Sequence, residues 1–118
     1  MPCRWRRGRG RPIKPRIIRR LPAAFRFIPT FPDPSVQEAY RVKKEPVMLT
    51  LDEMEALRLV DYEGKIQEEA AREMGVSRGT LWRCLDSARR KVAKSVVEGR
   101  ELVIEKAGEE VIIVREEG

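Results

Sequence analysis

Between Thr50 and Gly99 the apolar positions recur at helical spacing in three blocks, each closed by a glycine. Thr50-Leu51-Asp52-Glu53 has the spacing of a capping box, with Thr50 as the cap and Glu53 reaching back. The helix it opens places Met54, Leu57 and Val60 on one stripe, widened by Ala56 and Leu59, and Gly64 stops it. A second helix covers roughly Gln67 to Met74, and Gly75 supplies a turn in a positive-φ conformation that a Cβ would penalise. Ser77 caps the third helix. Its apolar face is Leu81, Cys84, Leu85, Ala88, Val92 and Val96. Gly79, Arg83, Asp86 and Arg90 fall on the opposite face, with Trp82 at its edge.

Outside these blocks the pattern turns extended. Val47-Met48-Leu49 reads as a short strand, and Leu102-Val103-Ile104 and Val111 to Val114 are β-prone around a turn at Lys106-Ala107-Gly108-Glu109. This predicts a β-hairpin over residues 100–118. A lone hairpin is marginal, so it must pack on the Phe25–Phe31 segment, the Val47 strand or a second subunit. In residues 21–46, Phe25, Phe27 and Phe31 alternate, while Pro22, Pro29, Pro32 and Pro34 forbid a long central strand. An extended arm or edge strand packing its aromatics on the core is expected there. Residues 1–20 hold nine Lys and Arg, no acid and little apolar surface, which predicts a flexible basic arm. The expected fold is mainly α with minor β (α+β), with a helix-turn-helix core over residues 47–99.

Charge sharpens this division. Residues 1–44 carry a net +11 and residues 45–118 a net −5, and all eight prolines lie at or before Pro46. An acidic folded part repels nucleic acid unless its arginines cluster, and they do so on the third helix. No apolar run approaches a membrane span, and the basic start lacks the apolar stretch of a secretory signal, so a cytoplasmic protein with no membrane partner is expected. There is no histidine, and Cys3 and Cys84 lack ligand spacing, so neither a zinc site nor a His-based triad is expected. Cys84, on the apolar face, reads as a buried inert thiol. No catalytic constellation stands out; the chain is not read as an enzyme, and no cofactor or metal is expected.

The stretch Gln67 to Leu85, QEEAAREMGVSRGTLWRCL, has the form of a helix-turn-helix. Ala70 and Ala71 let two helices approach, Val76 plugs the turn, and Leu81 and Cys84 pack back. In such a unit the first turns of the second helix meet base edges in the DNA major groove. Those positions are Arg78, Gly79, Trp82 and Arg83. An arginine can pair bidentately with guanine, and Gly79 permits close approach. Ser77 and Thr80 suit phosphate contacts at the helix start. Arg89, Arg90 and Lys91 fit backbone contacts farther along, or else form a solvated helix face. In the arm, Gly8-Arg9-Gly10-Arg11-Pro12 has the form of an AT-hook core; with Arg6 and Arg7 it would lie along an A·T minor groove or bind phosphates nonspecifically.

Residues 50–99 resemble a small uncharacterised DNA-binding family whose helix-turn-helix is similar to region 4 of primary sigma factors. The resemblance rests on TLDEMEALRLVDYEG and on EEAAREMGVSRGTLWRCLDSARRKVAKSVVEG. It implies a transcriptional role and places Arg78 and Arg83 at recognition-helix positions. Three departures stand out: Ile66 replaces a Ser or Thr cap, Trp82 replaces a smaller residue, and the VIIV segment has no clear counterpart. The function expected is sequence-specific binding of double-stranded DNA in transcriptional regulation. A homodimer and RNA polymerase are the further partners considered, and the alternatives are an RNA- or ribosome-associated protein or a polymerase adaptor.

Overall fold

The computed structural model describes residues 15–33, 35, 44–105 and 111–114. In chain order the elements are β1 (Arg16–Ile18), β2 (Arg26–Phe27), β3 (Val47–Thr50), α1 (Leu51–Leu57), α2 (Gln67–Met74), α3 (Arg78–Glu98), β4 (Leu102–Glu105) and β5 (Val111–Ile113). The fold is mixed α/β: among the described residues, three α-helices stand against two small sheets, compatible with the α+β class expected.

Local chemistry fixes the helix ends. The Thr50 hydroxyl accepts from the Glu53 N–H while the Glu53 carboxylate accepts from the Thr50 N–H, which is the capping box expected. After Leu57 the chain continues as a π-helical segment, Arg58–Tyr62, before Gly64 turns it out of the helix at φ 75°. Gly75 and Gly99 cap α2 and α3 in the left-handed conformation, at φ 68° and 67°. A side chain at either position would be strained.

Two sheets organise the ends of the chain. β4 is the middle strand of the larger sheet, parallel to β3 and antiparallel to β2. The helices form the crossover from β3 to β4, and Val47, Leu49, Leu102 and Ile104 bury against Leu51 and Ala88. A second core joins the helices through Ala56, Leu59, Ala70, Ala71, Met74, Leu81, Cys84 and Leu85. The smaller sheet pairs β1 with β5 in parallel, Ile17 opposite Ile112, and so ties residues from opposite ends of the sequence.

Several expectations are corrected. β4 and β5 do not form a hairpin; both edges of β4 are taken by β2 and β3, and β5 pairs with β1 instead. Part of the arm is built into the fold: Arg16 and Ile18 are buried in β1. Phe25 and Phe27 are about half exposed at the sheet edge, not packed into the core. Val96 is 76% exposed; the packed face of α3 ends with Ala88 and Val92. In α1 the buried side is broader than the apolar stripe and includes Asp52, Glu53 and Glu55. Cys84 is fully buried, yet it is disulfide-bonded and not a free thiol; its partner lies outside the described residues.

Candidate nucleic-acid interface

The α2–α3 junction is built from backbone hydrogen bonds around a single glycine. The Gly75 N–H donates to the Arg72 carbonyl at 3.1 Å and the Val76 N–H to the Ala71 carbonyl at 3.0 Å, which closes α2. Ser77 has extended backbone, φ −73° and ψ 161°, and its Oγ accepts from the Thr80 N–H at 3.1 Å. Such a cap contributes about 1 kcal/mol. α2 has no side-chain cap: Ile66 stands at that position, as the sequence indicates. Glu68 and Glu69 occupy its first turn, so this end carries negative charge.

The start of α3 differs in charge, with no acidic residue in its first turn. Arg78, Gly79 and Arg83 are exposed together there, and Trp82 is 46% exposed beside them. Leu81, Cys84 and Leu85 hold the opposite face in the core. Gly79 is not required by packing: a Cβ there would meet only the Ser77 Oγ, at 3.9 Å. Its lack of a side chain leaves open space on the outer surface. Thr80 departs from expectation. It is 2% exposed, and its Oγ1 accepts from the Ser77 hydroxyl at 3.1 Å, so its side chain cannot meet a phosphate.

Farther along α3 the cations are engaged by carboxylates. Arg89 donates to both oxygens of Asp61, at 2.9 and 2.8 Å. That bidentate hydrogen bond lowers the Asp61 pKa and raises that of Arg89. Arg90, largely exposed, lies 3.3 Å from Asp86. Lys91 donates to Glu53 Oε1 and Oε2 at 2.8 and 3.1 Å. Glu53 is fully buried and also accepts from the Ser87 hydroxyl at 2.6 Å. Lys91, which the sequence offers either for DNA-backbone contact or as part of a solvated helix face, is thus paired with the buried Glu53.

The carboxylates of α1 form a layer that sequence reasoning missed. Asp52 accepts from Arg16 at 2.8 Å, and Glu55 accepts from Arg58 Nε and Nη2 at 3.0 and 2.8 Å. Burial raises the Asp52 pKa against the opposing effects of the Thr50 hydrogen bond and Arg16. The capping-box spacing marked Glu53, but no local pattern marked its distant partners.

The same layer anchors the arm. The Arg19 N–H donates to Glu55 Oε2 at 2.9 Å, and Arg19 Nε donates to the Glu73 carbonyl at 3.2 Å. Ile17 packs on the turn itself: a Cβ on Gly75 would lie 3.3 Å from Ile17 Cδ1. The basic segment preceding residue 15 therefore joins the fold through a strand pressed against the α2–α3 turn. Its named residues, Arg6, Arg7, Arg9, Gly10 and Arg11, lie outside the described residues. No helix among the described residues is long and apolar enough to cross a membrane.

Comparison with known proteins places nearly all of the chain in one group. The model of the family described as "Protein of unknown function DUF134" matches residues 3–113. A UPF0251 protein of Pyrococcus furiosus is 54% identical over 114 residues, 97% of this chain and 98% of the relative. One of Archaeoglobus fulgidus is 46% identical over 108 residues, 90% and 94% of the two chains. One of Prosthecochloris aestuarii is 44% identical over 108 residues, 92% of this chain and 63% of its own. No solved structure matches the chain.

Proposed function

We propose that the chain, which belongs to the DUF134 family, is a sequence-specific double-stranded DNA-binding protein acting in transcriptional regulation. In this reading α2, the Gly75-Val76-Ser77 turn and α3 form a helix-turn-helix of the kind found in sigma-factor region 4. The first turns of α3 enter the major groove, and the basic arm lies on phosphates or in the minor groove. One observation carries the reading: directly after a left-handed glycine and a serine cap, α3 exposes Arg78, Gly79, Trp82 and Arg83 on one face, with no acid in its first turn. In a recognition helix it is this end that meets base edges.

Electrostatics supports a division of labour. Glu68 and Glu69 at the start of α2 and the paired cations along α3 leave the folded part little net attraction for phosphate. Attraction then comes from the +11 front segment, and sequence preference from the start of α3. The test is selection of bound sequences from a random duplex pool, with structured RNA as competitor. Recovery of a shared motif is expected. Absence of enrichment, or preference for the RNA, would replace this reading with an RNA-associated one. Capture of RNA polymerase without DNA would instead favour an adaptor.

A further inference from the structure

We propose that Trp82 is a specificity-determining residue: with Gly79 it forms an apolar notch on the outer face of α3 that takes the C5-methyl group of a thymine, next to the guanine that Arg78 or Arg83 reads. This rests on the proposed binding of duplex DNA by α3 and names a base that the same face selects. Trp82 is 46% exposed although it stands early in a helix whose other side is packed. The core beneath α3 is built from Leu81, Cys84 and Leu85, with Leu57, Val60 and Val76 packed against it, and Trp82 lies outside it. An aromatic ring left half in water forgoes the apolar burial that such a residue brings to a core or an interface. A partner with apolar surface recovers it.

Gly79 opens the space beside the indole. The two residues stand three apart, on one face of the helix. A helical side chain leans toward the helix N-terminus and covers the turn before its own Cα, which for Trp82 is the turn of Gly79. Gly79 is exposed, and among the described residues a Cβ there would have only the Ser77 Oγ within 4 Å, at 3.9 Å. The indole therefore stands clear of that point, and the space over the glycine is open to a small group from outside. In the major groove the base edges present hydrogen-bond donors and acceptors and a single kind of apolar group, the thymine methyl. Arg78, one turn before Trp82, and Arg83, beside it, supply the donors that suit guanine. A bare backbone floor next to an aromatic ring suits the methyl group instead. Asp86, one turn farther on, is paired with Arg90 at 3.3 Å, which offsets its charge at the edge of this surface.

The experiment starts from duplexes selected by the full chain out of a random pool. Each thymine of the recovered motif is then replaced singly by deoxyuridine, which removes only the methyl group. Affinity should fall about fourfold at one thymine that adjoins a guanine, the share of one buried methyl group. Trp82→Ala should weaken binding and abolish that sensitivity. Trp82→Phe, which keeps an apolar ring and lacks the indole N–H, should retain it. Thermal unfolding of each variant separates lost recognition from lost folding, and Trp82→Gln carries the same test should the alanine variant fail to fold. A motif in which no thymine responds to the replacement would overturn the inference and leave duplex recognition by α3 standing. So would a methyl effect that persists undiminished in Trp82→Ala. Recovery of no motif would overturn the reading on which the inference rests, and the inference with it.

Discussion

Both ends of α3 carry basic residues, two from Arg78 to Ala88 and four from Arg89 to Glu98, yet they do different things. At its start, Arg78 and Arg83 are exposed on a face without an acid in the first turn, beside Gly79 and Trp82. A few turns later Arg89 is held bidentately by Asp61, and Lys91 closes over the buried Glu53. Helical periodicity treats these cations alike, because all fall away from the apolar face. What separates them is their surroundings: Lys91 offsets a buried carboxylate of α1 and Arg89 pairs with Asp61 in the segment after it, whereas Arg78 and Arg83 lie exposed at the start of the helix.

The largest contrast should appear in stability. Lys91→Ala leaves Glu53 buried with hydrogen bonds from Ser87 and Thr50 but no counter-ion. Breaking a buried pair typically costs about 3–5 kcal/mol, and the 26% exposure of Lys91 puts the expected loss below that range, at about 2–3 kcal/mol. Urea unfolding measures it, and base preference should be unchanged. If Lys91→Ala altered base preference without loss of stability, the two ends of α3 would not be distinct. Arg83→Ala should behave in the opposite way. Stability should hold, while specific affinity falls by about 1–3 kcal/mol and one base position relaxes. Equal loss on specific and random duplexes would remove Arg83 from base readout.

Gly79 sharpens the contrast further, because there the two quantities should move in opposite directions. The space around it accepts a Cβ, so Gly79→Ala should stabilise the fold by about 0.5 kcal/mol through reduced freedom of the unfolded chain. The added methyl group should also weaken duplex binding by holding α3 away from the groove. A variant both more stable and equally tight would mean that the glycine has no role at the interface.

These distinctions mark what the sequence alone could convey. Features set by residues within a turn of each other were legible: the Thr50–Glu53 box, the Gly75 turn, the Ser77 cap and the apolar face from Leu81 to Ala88. Features set by distant pairing were not. The strand tendency of Leu102–Ile104 and Val111–Val114 is local, but partner choice depends on β2 and β3 occupying both edges of β4. Arg16 and Ile17 looked like more of a charged tail until Asp52 and Gly75 supplied their distant contacts. Likewise Thr80 looked available at the helix start, whereas the Ser77 hydroxyl turns it inward. Position on a helix face could be read from spacing; engagement by another element could not.

The smallest expected effect concerns Asp61 and gives the comparison a pH dependence. The hydrogen bond from Arg89 holds its folded pKa below the ordinary 3.8, so the folded state binds its proton less readily than the unfolded chain. Its contribution is complete above the unfolded value and is lost as pH falls through the folded one. Asp52 has the opposite sign: burial raises its pKa, so its contribution favours folding at low pH and declines as pH rises through the interval above 3.8. Asp61→Asn should therefore flatten only the acid limb, removing more stability at neutral pH than at pH 3. Both partners of this pair are more than a third exposed, so screening by water limits the difference to less than about 1 kcal/mol. Urea titrations at pH 3 and pH 6, with and without added salt, resolve it. A loss of equal size at both pH values would mean that Asp61 acts by packing. Arg89 would then not be committed to an ion pair, and the boundary between the two ends of α3 would move toward Gly99.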